Sequence, residues 1–217
     1  MDYAAARRNM VESQIRPNQV LNAAIIEAME EVPREKFVAD DKAGIAYVDE
    51  ALTIGGGRYL MEPMAFARLL ETAEIGADDV VLDIGCGTGY STAVLAKVAG
   101  AVVAVEEVAD FAKSASELLT ELGVDNAAVI EGPLVDGYAK QAPYDVIVFS
   151  GAVGDVPSQI LDQLADGGRL VCIIQAENGL GRGTLTLKVG ESIDRRDVFD
   201  AGSPVLPGFE SKSVFTF

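Results

Sequence analysis

The sequence predicts an α/β protein with a mostly parallel sheet and helices on both of its faces. From Val80 onward, apolar runs of strand length alternate with segments of helical spacing, which is typical of such sheets. The run at residues 80–84 leads directly into a loop with glycine at every second position, an arrangement that cradles a nucleotide. The last third of the chain alternates apolar and polar residues, which predicts an antiparallel strand pair at the end of the sheet.

Each element is predicted from its own pattern. Near the start, apolar residues recur at helical spacing and Pro33 follows them, which predicts a helix over residues 20–29. After the glycine loop, helical spacing covers residues 90–98, 108–122 and 157–164. Strands are predicted at residues 101–106, 127–130, 144–149 and 169–174, with a turn at Gly167 and Gly168 before the last of them. The antiparallel pair is predicted from residues 184–189 and 213–217.

The composition favours one acidic domain that binds neither nucleic acids nor membranes. The 217 residues include 17 Lys and Arg against 34 Asp and Glu, which gives a net charge of -17. Such a surface repels nucleic acids and anionic membranes. Cys86 and Cys172 show neither a disulfide framework nor zinc-ligand spacing. Because no apolar stretch approaches the length of a membrane span and no signal segment is seen at Met1, a cytoplasmic protein is expected.

The spacing of the glycines and the acid before them indicate which ligand the loop takes. A dinucleotide loop reads G-x-G-x-x-G and holds a pyrophosphate, whereas this one reads D-x-G-x-G-x-G from Asp83. An acid repels a pyrophosphate but attracts a cation, and S-adenosyl-L-methionine carries a sulfonium and an ammonium without any phosphate. The alternative is a glycine-rich turn in an ordinary α/β domain. We predict that this cofactor binds at Asp83 and at the loop residues Gly85, Cys86, Gly87, Thr88 and Gly89.

A second apolar run, residues 101–106, ends in the carboxylate of Glu106. This residue lies about 20 positions beyond Gly85, where an acid at the tip of the second strand accepts hydrogen bonds from both ribose hydroxyls. A carboxylate suits a vicinal diol because it offers two acceptor oxygens. We therefore predict Glu106, with its neighbour Glu107, at the cofactor; the alternative is a solvated Glu that begins a helix.

The chain contains no histidine. This excludes Ser-His-Asp hydrolysis, Cys-His chemistry and metal sites built on histidine, and no metal is expected. The absence of histidine favours a reaction that needs no base. Methyl transfer to a carboxylate is such a reaction, because the acceptor is already ionised at neutral pH and the enzyme mainly aligns it with an activated methyl group.

Several segments, in order along nearly the whole chain, resemble one known family. They are the runs MVESQI at 10–15, VPREKFV at 32–38, AYVD at 46–49, LTIGGG at 52–57, the glycine loop, YDVIV at 144–148, Pro157, and LDQLADGGRLV at 161–171. Together they are similar to the protein-L-isoaspartate O-methyltransferase family. The resemblance implies a Rossmann-like class I methyltransferase that uses S-adenosyl-L-methionine to methylate a carboxylate of isoaspartyl residues in damaged proteins.

The resemblance also implies the domain organisation and further site residues. It implies one domain, with residues 1–75 on the substrate side and residues 76–217 as the cofactor-binding core, and protein or peptide substrates that carry isoaspartate. Around the cofactor it assigns Ile54, Gly55, Gly57, Gly132, Pro133 and Leu134. Pro133 stands where the family has an aspartate that meets the adenine amino group. Met61 stands at the position of the family's active-site serine, and because a thioether donates no hydrogen bond, Met61 is not expected to be catalytic.

The acceptor side leaves several interpretations open. Arg58 either forks onto the carboxylate of an acidic substrate or lies on the surface, and Tyr59 and Thr53 are further possible donors. The protein is then a carboxyl methyltransferase acting on isoaspartate or on a related acid, a methyltransferase with a different acceptor, or a catalytically weak protein that binds the cofactor or a partner. The oligomeric state stays open.

Overall fold

The computed structural model of the protein describes residues 1–176 and 180–211. The α-helices in these residues are α1 (Tyr3–Met10), α2 (Ala23–Glu31), α3 (Pro63–Ala73), α4 (Tyr90–Val98), α5 (Ala109–Glu121) and α6 (Ser158–Leu161). Short helical turns at Val11–Ile15, Arg16–Asn18, Arg34–Phe37 and Asp40–Ile45 connect the N-terminal elements, and two more lie at Leu134–Asp136 and Ala139–Gln141. None of the helices in the described residues combines the length and the apolar character needed to cross a membrane.

The strands form a small hairpin and one large sheet. The strands are β1 (Leu52–Gly55), β2 (Arg58–Leu60), β3 (Val80–Ile84), β4 (Ala101–Glu106), β5 (Ala127–Glu131), β6 (Tyr144–Val153), β7 (Leu164–Gln175), β8 (Gly181–Val189) and β9 (Ser192–Asp200). β1 and β2 pair with each other, and the large sheet has the order β5-β4-β3-β6-β7-β8-β9. Strands β3 to β7 pair in parallel, while β8 and β9 are antiparallel. The predicted fold class, a mostly parallel sheet with an antiparallel end, is confirmed.

The two faces of the sheet are buried against different partners. Alternate strand residues point to opposite faces, so Val81 packs in the cluster that contains α2, α3 and α4. Leu82 and Ile84 pack on the other face, together with α6 and the C-terminal residues Leu206 and Phe209. Strand β3 is paired on both edges, with β4 and β6, and is covered on both faces, so the start of the loop that follows it is held on all sides.

Three predicted elements differ from the structure. The helix predicted at 157–164 is limited to Ser158–Leu161, and the predicted turn at Gly167 and Gly168 lies inside β7. There the pairing advances from Leu164 to Arg169 while β6 advances only two residues, and Gly167 has φ 78°, so the extra residues form a bulge that glycine accommodates.

The antiparallel end of the sheet is built from other residues than predicted. The partner of β8 is β9, whose side chains are almost all exposed and therefore show no alternation to recognise. The predicted strand at 213–217 lies outside the described residues.

The β1–β2 hairpin reaches over the carboxyl edge of the large sheet. Its turn consists of Gly55, Gly56 and Gly57, which have φ values of 100°, 57° and 74°, a region that side chains with a Cβ rarely adopt. The base of the hairpin is anchored by Arg34, which is fully buried and donates from Nη2 to the Met61 carbonyl at 2.7 Å. The tight turn and this anchor together direct the first residues of β2 toward the loop after β3.

Candidate functional site

The glycine loop between β3 and α4 has a backbone that requires glycine. Gly85, Gly87 and Gly89 have φ values of 83°, 56° and 99°. At Gly89, which begins α4, an added Cβ would lie 2.9 Å from the Cβ of Ala115 in α5. The two glycines therefore have different roles. Gly89 allows α4 to pack against α5, whereas Gly85 leaves one face of the loop without a Cβ.

Asp83, in the strand that leads into the loop, is held by hydrogen bonds from three hydroxyl groups. Its carboxylate accepts hydrogen bonds from Ser91 at 2.7 Å, Thr92 at 2.8 Å and Ser150 at 2.7 Å. The side chain is fully buried, and this burial raises its pKa, against the lowering effect of the three hydrogen bonds. In this arrangement Asp83 ties β3 to α4 and β6 and shapes the loop, and its carboxylate is enclosed by the protein's own hydroxyls.

Glu106 at the end of β4 lies beside the same loop and is also fully buried. Its Oε2 accepts from the Gly87 amide at 2.8 Å, and its Oε1 accepts from the Val108 amide at 3.1 Å. Oε1 also accepts a hydrogen bond from Nη1 of Arg58 at 2.6 Å. The side chain of Glu107, which was predicted beside it, is exposed. Glu106 is therefore where the sequence analysis expected it, but both of its oxygens already have partners within the chain.

Arg58 occupies a position that differs from both sequence interpretations. Its side chain is 1% exposed, so it is not a surface arginine. Nη1 donates to Glu106 and Nη2 donates to the Gly85 carbonyl at 2.9 Å, so neither terminal nitrogen is turned toward an incoming substrate carboxylate. The hairpin brings the guanidinium into the loop because β2 begins at Arg58, directly after the three-glycine turn.

The remaining predicted residues divide between the site and its surroundings. Met61 is buried, Tyr59 is 40% exposed at the mouth, and Thr53 is exposed, with its hydroxyl accepting from the Gly55 amide. The Gly132 amide donates to the Glu106 carbonyl at 3.0 Å, which places the turn after β5 beside the end of β4. In that turn the side chain of Leu134 is buried in the core and that of Pro133 is exposed. Thr88 donates from its hydroxyl to the Phe37 carbonyl at 2.6 Å.

Cys86 lies in the loop as a buried, free thiol. Burial raises its pKa well above the ordinary value, which makes it a poor nucleophile. In the described residues, no three His, Cys, Asp or Glu side chains are placed to hold a metal ion.

Some site residues were missed by the sequence analysis. Ser91, Thr92 and Ser150 hold Asp83, and Ser150 could have been found because it directly follows the apolar run of β6 at the carboxyl edge of the sheet. Leu206 covers Gly85, and its only signal is an apolar L-P-G-F run after Pro204.

The comparisons with known proteins identify the family. A family model described as protein-L-isoaspartate(D-aspartate) O-methyltransferase matches residues 5–190. The chain belongs to this family. The family predicted from the sequence is thereby confirmed, and with it an S-adenosyl-L-methionine-dependent carboxyl O-methyltransferase.

Individual relatives agree with this assignment. A protein-L-isoaspartate O-methyltransferase of Methanoculleus marisnigri is 41% identical over 165 residues, covering 76% of this chain and 75% of the relative. One from Koribacter versatilis is 40% identical over 169 residues, covering 78% and 76%. A solved protein-L-isoaspartate O-methyltransferase superposes with a TM-score of 0.82 at 26% identity, and the match spans 93% of this chain and 66% of that one.

A Plasmodium falciparum protein of the same family name, solved with S-adenosyl-L-homocysteine, has a TM-score of 0.77 at 19% identity, which supports the fold. The family match over residues 5–190 gives S-adenosyl-L-methionine as the cofactor of this chain, as predicted.

The chemistry of the site suits this cofactor, but the space in this conformation does not. A glycine loop without Cβ atoms and a carboxylate at the end of β4 match an adenosyl group with a ribose diol. The cavity bounded by Gly85, Cys86 and Ser150 has a volume of only about 10 Å³, which holds one water at most. Ile54 bounds this cavity, while Arg58 and Leu206 bound another cavity of about 10 Å³ together with Ser150 and Gly151. Around the loop, the side chain of Ile54 lies against Gly87, and those of Arg58 and Leu206 lie against Gly85.

Proposed function

We propose that this protein methylates the carboxylate of isoaspartyl residues in damaged proteins and peptides. The observation that carries the proposal is the family match over residues 5–190, which includes the glycine loop and Glu106 in the geometry described above. The bound cofactor supplies a methyl group on a sulfonium, which an ionised carboxylate attacks directly. Gly85, Gly87 and the Glu106 carboxylate are the groups proposed to hold the cofactor.

The residues of the N-terminal part form the acceptor side of the site. Tyr59 lines the cavity beside the glycine loop, and Thr53 lies opposite it in the hairpin. Both are proposed to orient the acceptor carboxylate by donating hydrogen bonds. Met61 and Ile54 line the interior and exclude water from the reacting groups. Because the acceptor carboxylate is already ionised at neutral pH, the reaction needs no general base, and a chain without histidine can carry it out.

The acidic surface limits the kinds of macromolecule that the protein can bind. With a net charge of -17, the protein repels nucleic acids and anionic membranes, so we propose that its partners are proteins and peptides. Cys86 and Cys172 are both free and buried, as expected in the reducing cytoplasm, which is the proposed location.

The direct test is methyl transfer to a synthetic isoaspartyl peptide. Alkaline treatment after the reaction hydrolyses the methyl ester formed from S-adenosyl-L-methionine, and the methanol released in this step is measured. The matched control is the same peptide with ordinary aspartate. Turnover on the isoaspartyl peptide alone is expected, and equal rates on both peptides, or none on either at high enzyme concentration, would contradict the proposed substrate.

A substitution at Met61 tests the acceptor site itself. Met61→Ser restores a hydroxyl donor at the family's serine position, and Met61→Ala removes the same bulk without supplying a donor. We expect the serine variant to exceed the alanine variant in kcat/KM by about tenfold, the effect of one hydrogen bond to a charged group. Equal rates for the two variants would show that position 61 does not face the acceptor carboxylate.

A further inference from the structure

Three side chains from outside the strand, loop and helix unit fill the face that the loop glycines leave open. A Cβ built on Gly87 would lie 2.7 Å from Cδ1 of Ile54. One built on Gly85 would lie 2.9 Å from Cδ2 of Leu206 and 3.0 Å from Nη2 of Arg58. Glycine at such positions admits a ligand close to the backbone. Here the chain itself occupies that space, and the remaining cavity of about 10 Å³ is far below the roughly 300 Å³ of a small ligand pocket.

Arg58 donates a hydrogen bond to the Glu106 carboxylate, the same acceptor that a ribose would use. Its Nη1 lies 2.6 Å from Glu106 Oε1, while the Gly87 amide takes Oε2. Both charged groups are almost completely buried, at 1% and 0% exposure, so they form an ion pair shielded from water. A ribose diol on Glu106 therefore has to replace the guanidinium. Nε of Arg58 is buried and finds no hydrogen-bond partner among the described residues, so the closed position leaves one donor unsatisfied.

Leu206 belongs to a strap, residues 204–209, that lies along the end of β6. The Ala152 amide donates to the Pro204 carbonyl at 3.0 Å, and the Leu206 amide donates back to the Ala152 carbonyl at 2.8 Å. Phe209 contacts the ring of Phe149 edge to face, with centroids 5.2 Å apart. The strap lies beyond residue 190, where the family match ends. The contact with the loop is thus made by a part of the chain outside the matched region.

The absence of a Cβ on β6 lets the strap approach. At Gly151, an added Cβ would lie 2.6 Å from Cγ of Leu206. Leu206 of the strap therefore lies against Gly151 of β6 and also covers Gly85 of the loop. The strap is attached through its hydrogen bonds to Ala152 and Gly154 and through Leu206 and Phe209, whose side chains are buried.

We propose that Arg58 and Leu206 form an autoinhibitory latch that closes the cofactor site of the free protein. Cofactor binding requires the Arg58 guanidinium to leave Glu106 and the Leu206 side chain to leave Gly85. The identity of the ligand rests on the function proposed above, and the latch adds that the ligand competes with the chain's own residues. The free protein then binds S-adenosyl compounds more weakly and more slowly than its glycine loop and carboxylate allow.

Calorimetry with S-adenosyl-L-homocysteine tests the competition. Arg58→Gln removes the charge that holds Glu106, and we expect its Kd to fall at least tenfold below that of the unmodified protein. Arg58→Lys keeps a cation but loses the fork, so a smaller change is expected. The matched control is Arg169→Gln, which removes another partly buried arginine ion pair, to Asp79, at the opposite end of β3 and should leave the Kd unchanged.

Leu206→Ala tests the strap without touching the ion pair. We expect tighter binding and faster association, and a combined Arg58→Gln and Leu206→Ala protein should bind tightest. Hydrogen exchange provides a readout on the unmodified protein: saturating S-adenosyl-L-homocysteine should speed the exchange of the Leu206 amide, which is bonded to Ala152 in the closed state.

The outcomes separate the latch from the proposed function. Binding that is intact but unchanged in both variants, or weakened by Arg58→Gln, overturns the latch alone, because Arg58 would then be a bystander or a cofactor ligand. Slower exchange at Leu206 in the complex also overturns it. If neither the unmodified protein nor any variant binds, both the latch and the proposed use of the cofactor are overturned.

Discussion

Breaking the ion pair between Arg58 and Glu106 should cost the cofactor-free protein about 3 kcal/mol of unfolding free energy. Two unit charges about 4 Å apart attract by about 4 kcal/mol at an effective dielectric constant of about 20. Much of this attraction is offset by the desolvation of two buried ions. Removing one partner leaves the other charge buried, which costs about 3–5 kcal/mol. Glu106 keeps the Gly87 and Val108 amides, so the lower end applies to Arg58→Met.

The pair can be isolated by a double-mutant cycle with Arg58→Met and Glu106→Gln. The glutamine keeps one acceptor oxygen, which serves one of the two backbone amides bonded to Glu106, and it carries no charge. With both charges gone, no buried ion is left unpaired, so the double variant should lie within about 1–2 kcal/mol of the unmodified protein. The two single changes should each cost about 3 kcal/mol, and the coupling energy should therefore reach about 4–5 kcal/mol.

Urea unfolding of the cofactor-free protein supplies the assay. Far-ultraviolet circular dichroism follows the transition, and the six tyrosines provide a second probe in a chain without tryptophan. The control is Arg16→Ala, which breaks the exposed pair with Glu12 and should cost less than about 0.5 kcal/mol. A cost below about 1 kcal/mol for Arg58→Met, or additive single changes, would refute the reasoning and show that the guanidinium is solvated in the free protein.

Three further predictions concern the loop and its surroundings. Gly89→Ala should lose about 3 kcal/mol or more in urea unfolding because its Cβ meets Ala115, whereas Gly123→Ala, also left-handed but with open space, should lose only about 1 kcal/mol. Asp83→Ala should cost about 2–4 kcal/mol because three buried hydroxyls lose their acceptor, and Asp83→Asn should cost less. Burial raises the pKa of Glu62, so its ionised form is disfavoured in the folded state. Glu62→Gln should therefore raise Tm at pH 8, and the gain should vanish near pH 3, below the ordinary pKa of a glutamate, where the carboxyl is protonated in both states. A gain that persists at pH 3 would contradict this cause.

The parts of the site that were predictable are those encoded by neighbouring residues. The glycine spacing after Asp83 fixes the loop backbone, because positive φ values at 85, 87 and 89 require glycine. The position of Glu106 follows from strand length and helix length in a parallel unit, and the structure does place it beside Gly87. The resemblance to the family includes the same glycine loop, whereas Glu106 is predicted from its spacing alone.

The elements that were wrong or missed lack a local signal. β9 carries exposed side chains along nearly its whole length, so neither face is marked by apolar residues. Gly167 and Gly168 are typical of both a turn and a bulge, and only the pairing of β7 with β6 distinguishes the two. In each case the deciding interaction is with a strand distant in sequence or facing solvent.

Arg58 shows why residue types alone do not define a binding site. Residue type alone predicts that the two oxygens of Glu106 are free for a ribose, and that the guanidinium of Arg58 either binds a substrate carboxylate or lies on the surface. They lie 48 residues apart, and the hairpin brings them within 2.6 Å of each other. Groups chosen to bind charged or polar ligands also suit one another, and in a buried site they cannot stay unpaired without cost. The carboxylate that suits Glu106 to a ribose therefore also stabilises the closed state through Arg58. The ligand has to bind Glu106 more favourably than Arg58 does.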